Sequence, residues 1–128
     1  MSETVSCKSL HLEYRLWIAE LNYSITLIRI FHDRLEELQK DMPGNAVLSA
    51  IPGLSAKLSD SRAVIDELTH RMQIEKMNLA RISRESRVIN VRIPLPDNYS
   101  ANRNDFYSFR TSFETLKAEL LNLEVSSA

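Results

Sequence analysis

With 128 residues, a formal net charge of -1 and only 2 Gly, the chain has the length of one domain with a core of its own. It lacks the charge excess of a globally electrostatic binder of nucleic acid or anionic membrane, and so few glycines leave little room for a phosphate-cradling loop. The single cysteine, Cys7, has no internal disulfide partner, which fits a reducing compartment.

Residues 1–7 hold no basic stretch followed by an apolar core, and no run reaches the roughly eighteen apolar residues of a membrane span. The expectation is a cytoplasmic protein without a membrane partner. Residues 1–8 read as a polar, frayed lead-in, with Ser6 or Ser9 available to cap the first helix.

That helix is expected over about 9–42. Leu10, Tyr14, Trp17, Leu21, Ser24, Ile28, Phe31, Leu35, Leu38 and Met42 recur in steps of four and three, one heptad seam with a single polar member, Ser24. Ile18 and Ile25 widen that stripe, while Glu20, Arg29, Glu36 and Lys40 mark the outer face. Pro43 and Gly44 stop the helix. Val47, Ile51 and Leu54 keep the rhythm across the break at Pro52 and Gly53, so residues 45–53 are either a short helix followed by a kink or an ordered loop. The rhythm favours a short helix over about 45–51.

A second helix is expected over about 54–90, with Leu54, Leu58, Ile65, Leu68, Met72, Leu79, Ile82 and Ile89 on its seam. Ser61, Glu75 and Ser86 are the polar members, and Glu75 requires a partner or solvent, because an unpaired buried carboxylate is costly. Glu67 with Arg71, and Arg81 with Glu85, are spaced as i,i+4 pairs. Beyond Ile89 the alternation of Val91, Ile93 and Leu95 with Pro94 and Pro96 is that of a stiff extended connector.

The third helix is expected over about 101–125, on Phe106, Phe109, Phe113, Leu116, Leu120 and Leu123, with Asn102 and Asp105 as a non-standard capping pair. Three seams joined by short connections give an all-α fold, an antiparallel up-down-up three-helix bundle with long, coiled-coil-like helices. That arrangement puts Tyr14, Trp17, Phe106, Phe109 and Phe113 at one end of the core. The third helix, spanning roughly 36 Å, falls about 15 Å short of the first. At the far hairpin tip, Leu35, Leu38, Met42, Val47, Ile51 and Leu54 are therefore either an uncovered interface or covered by residues 45–53 folding back.

Chemistry is sparse. Glu67 and His70 have the Glu-x-x-His spacing of two-metal bundles, but the motif occurs once and faces off the seam, so no metal or other cofactor is expected. His32 followed by Asp33 on a long helix resembles the phosphoacceptor box of histidine-kinase dimerisation helices, over about five residues. Arg81, Arg84, Arg87 and Arg92 make the end of the second helix basic, a patch that nucleic acid could use. Cations there also complement the helix dipole, and Glu85 interrupts the patch, so nucleic acid is not the expected partner.

The order His11, Trp17, Arg34 to Glu37 and then Ile65 to His70 resembles a loose group of small uncharacterised all-helical bacterial proteins, over the first helix and half of the second. The resemblance implies a helical fold and a bacterial origin, and no chemistry. Pro52 and Gly53 stand where that group continues its helix. The sequence thus points to a non-enzymatic bundle acting through a protein partner or self-association, as an adaptor, regulator or oligomeric scaffold. A phosphoacceptor or metal-binding bundle and a nucleic-acid module are the alternatives.

Overall fold

A computed structural model describes residues 3–41, 44 and 46–127. The protein is an all-helical bundle of three long helices, α1 (Cys7–Asp41), α2 (Ile51–Glu85) and α3 (Tyr99–Ser127), with a 3₁₀ turn over Ala46–Ala50. Two short strands, β1 (Thr4–Ser6) and β2 (Arg92–Pro94), complete it. Among the described residues no helix is long and apolar enough to cross a membrane.

The N-terminal segment corrects the expectation of a frayed lead-in. β1 and β2 pair antiparallel, with Val5 opposite Ile93 and Ser6 opposite Arg92. The Cys7 amide extends the pairing by donating to the Val91 carbonyl at 3.0 Å. Two strands alone are marginal in water. Here Val5, Val91 and Ile93 pack against the core, and the Arg92 guanidinium donates to the Thr4 hydroxyl (3.0 Å) and carbonyl (2.6 Å). With the chain anchored this way, α1 begins at Cys7, two residues earlier than its spacing suggested. Its cap is Ser6, whose Oγ accepts the Ser9 amide at 3.3 Å.

Most of the α1 and α2 seams is buried as its periodicity required, with Phe31 and Ile82 half-buried. Leu10, Tyr14, Trp17, Leu21, Ile28, Leu35 and Leu38 meet Leu54, Leu58, Ile65, Leu68, Met72 and Leu79 in one core. Each such side chain contributes about 1.5–3 kcal/mol relative to exposure. Ser24 is tolerated among them because its hydroxyl donates to the Glu20 carbonyl one turn back, at 3.0 Å.

α2 starts three residues before the expected position. Pro52 lies in its first turn, where the missing N–H costs nothing, so the Pro52–Gly53 pair opens the helix rather than kinking it. α2 also ends five residues early. Ser86 turns extended at ψ 140°, and its Oγ accepts the Val88 amide at 3.1 Å. Ile89 consequently leaves the seam and is 79% exposed. Glu75, half-buried, accepts the Asn98 amide at 2.7 Å, the partner its seam position called for.

α3 begins at Tyr99, whose amide donates to the Pro96 carbonyl at 3.0 Å. Asn102 is therefore inside the helix and caps nothing. It is 2% exposed and donates from Nδ2 to the Tyr14 hydroxyl at 3.1 Å. Asp105, the other half of the expected cap, instead pairs with Arg71 of α2 at 2.6 Å. Arg71 thus reaches across to α3 rather than along its own helix to Glu67.

The hairpin tip is covered. At 29 residues α3 spans roughly 44 Å, more than its seam alone suggested. Its last turns carry Leu120 and Leu123 to the level of Leu54, and Leu123 and Leu54 line one depression with Ala50. Leu35, Leu38, Ile51 and Leu54 are all buried and cannot form an open interface. Met42 lies outside the described residues, as does the side chain of Val47.

Candidate interaction surface

The sequence picked out α1 for its core seam. The same helix carries a second one. Leu12, Leu16, Tyr23 and Ile30 are spaced four, seven and seven apart, which places them within about 40° of one another around the helix axis. They sit two residues out of phase with the core seam, on the side turned away from it. All four are exposed, at 50%, 61%, 63% and 56%. Exposed Ala19 and Thr26 complete the four-three rhythm between them. Scattered surface leucines need no explanation. A ridge of four large apolar residues on one line, some 27 Å long, does.

The ridge stands on a stiff base. On the core side, Trp17 stacks on Phe106 (5.3 Å) and Tyr99 (5.9 Å) and takes the Tyr14 ring edge-on at 5.3 Å. Phe109 and Phe113 stack one turn further along α3 at 5.4 Å. Arg110 lies over the Phe106 ring at 4.8 Å and forks onto both oxygens of Glu20, at 2.8 and 2.9 Å. Glu13 accepts the Tyr99 hydroxyl. Burial, and then this bond to a carboxylate, push the Tyr99 phenol up to about 12. α1 is further tied to α3 by Arg34, which forks onto Glu124. That contact holds the Glu124 carboxyl below the usual carboxylate range.

The other candidates resolve differently. His32 is half-buried beside an exposed Asp33 on α1. Glu67 and His70 are both exposed on the outside of α2, as their phase predicted. Among the described residues no three His, Cys, Asp or Glu side chains come close enough to share a metal ion. Cys7 is fully buried, its Sγ 3.2 Å from the Leu79 carbonyl, and burial pushes its thiol up.

The four arginines do cluster at one end of the bundle, but on different footings. Arg81 and Arg84 lie in the last turns of α2, Arg87 in the bend that follows and Arg92 in β2. Arg81 is 3.6 Å from Glu85, and Arg92 is committed to Thr4. Between α2 and α3 a groove of about 410 Å³ is lined by Ser61, Val64, Arg71, Ser108 and Ser112 among others.

In the sequence the four-seven-seven spacing of this ridge is overshadowed by the denser core seam on the same helix. Comparison of the chain with models of known protein families, with curated proteins and with solved structures returned no match.

Proposed function

We propose that this protein is a non-enzymatic, antiparallel up-down-up three-helix bundle that works in the cytoplasm by protein–protein contact, as an adaptor, regulator or oligomeric scaffold. The topology is supported by the order of the cross-helix pairs. Glu20 and Arg34 of α1 meet Arg110 and Glu124 of α3 in the same chain order. Lys57 and Arg71 of α2 meet Glu119 and Asp105 of α3 in the reverse order. Helices related in this way, joined by short connections and meeting along heptad seams, pack at shallow, coiled-coil-like crossings. The likeness of α1 and the first half of α2 to small helical bacterial proteins fits the same reading and a bacterial source.

The observation that carries the function is the exposed ridge Leu12, Leu16, Tyr23 and Ile30. Apolar surface aligned on one rigid helix gains most when another protein covers it. A photo-crosslinking residue placed at Leu16, and separately at Asp60 on the exposed face of α2, tests the reading in intact cells. Discrete protein adducts at Leu16 and none at Asp60 are the expected result. The absence of adducts at Leu16 would count against function by contact through this face.

A further inference from the structure

The ridge has charged margins whose signs differ. On one edge, at heptad spacing, run Lys8, Arg15 and Arg29; on the other run Glu13 and Glu20. We infer that a second copy of this chain covers the ridge, with the two α1 helices parallel and in register. This rests on the reading of the ridge as a contact face and names its occupant.

In a parallel pair of helices, a residue on one margin lies beside the residue five positions further along on the opposite margin of the partner. Lys8 then meets the partner's Glu13, and Arg15 meets the partner's Glu20. By the two-fold symmetry each contact forms twice. Glu20 is forked by Arg110 and Glu13 accepts from Tyr99, so both carboxylates are held in place on the margin with lone pairs to spare. Arg29 comes beside the partner's Arg34, whose charge is already met by Glu37 and Glu124. The antiparallel alternative, centred on the same apolar residues, sets Arg15 beside the partner's Arg29 and Glu20 beside the partner's Glu20. Lys8 beside the partner's Glu36 is the one opposite-charge contact it keeps, the like-charge contacts outweigh it, and the margins select the parallel pair.

The four ridge residues supply a little over half of the area of a stable pair. At the exposures of the four residues, the ridge leaves roughly 450 Å² of side chain in water on each copy. Ala19, Thr26 and the aliphatic stems of Lys8, Arg15 and Arg29 extend it toward the roughly 800 Å² per partner of a stable pair.

Sedimentation equilibrium of the purified full chain tests the inference. The expected mass is twice the 14.7 kDa of one chain. Tyr23→Lys, a change at an exposed position, should leave the helical circular dichroism intact and raise the dissociation constant at least about tenfold. Ala19→Cys should form an intermolecular disulfide on oxidation, because in the parallel register it faces its own copy, whereas antiparallel pairing sets it against Tyr23. The buried Cys7 keeps the parent chain silent in that assay.

A monomer at about 100 µM would overturn the second copy as occupant. Crosslinks from Leu16 to a different protein would then leave contact through the ridge standing. A dimer indifferent to Tyr23→Lys, or one without the Ala19→Cys disulfide, would overturn the assigned face or register.

Discussion

The bond between Asn102 and Tyr14 is the one place where two buried polar side chains on different helices answer each other among the described residues, and its energetics can be worked out. Asn102 is 2% exposed and Tyr14 fully buried, and the amide nitrogen and hydroxyl oxygen are 3.1 Å apart. Changing Tyr14 to Phe strips the amide of that acceptor. Changing Asn102 to Leu strips the hydroxyl of that donor. Each single change should cost about 1–3 kcal/mol, most of it the desolvation of the group left behind. For a domain of this size that is a fall in Tm of roughly 3–5 °C per kcal/mol. The double variant removes both polar groups and conserves volume, so it should cost less than the two single variants combined, by about 1–3 kcal/mol. Urea unfolding followed by circular dichroism gives all four stabilities, with the slope unchanged if only the native pair is affected. If the double variant loses the sum of the single losses to within about 0.5 kcal/mol, the bond does not link α1 to α3 and this account of Asn102 is wrong.

The two glycines should respond in opposite senses. Gly44 has φ +84° and open space where a Cβ would go, so Gly44→Ala costs conformational energy alone, about 1 kcal/mol. Gly53 is helical and equally unobstructed, so Gly53→Ala should stabilise by about 0.5–1 kcal/mol; midpoints shifted the same way would refute the contrast. Tyr99 makes stability fall with pH at the alkaline end. The unfolded chain releases the phenolic proton near the ordinary value, about 10, whereas the folded chain keeps it until about 12. Between those two values the unfolded state binds fewer protons, so its share of the equilibrium grows as pH rises. Tyrosinate absorbance at 295 nm should show a late-ionising component that Tyr99→Phe reduces, the remainder coming from buried Tyr14, which burial also pushes up.

The core was legible because burial on a helix leaves a local trace: Tyr14, Trp17, Ile65, Phe106 and Phe113 fall on four-three spacings that a dozen neighbouring residues suffice to reveal. What escaped is what depends on partners distant in sequence. Thr4–Ser6 has no strand pattern of its own and becomes one because Arg92–Pro94 lies beside it. Asn102 looks like a cap until the helix is seen to start at Tyr99, three residues earlier, and the tyrosine it serves is on another helix. The tip of the hairpin stayed open between two readings for the same reason, since α3 starts where the Pro96 carbonyl sets it and runs to Ser127, beyond both expected ends. Leu12, Leu16, Tyr23 and Ile30 are the converse case: a pattern fully present in the sequence, whose meaning needed the knowledge that the other side of the helix was already occupied.

The ladder between β1 and β2 also imposes an order of events on a chain made from its N-terminus. Residues 4–6 leave the ribosome well before the segment they zip onto, residues 92–94. Until then the Cys7 thiol lacks the strand register to shelter it, and the ring that finally closes is among the largest the fold contains. The clasp cannot set before residues 92–94 are made, which makes the newborn chain a form in which this cysteine is open to oxidants.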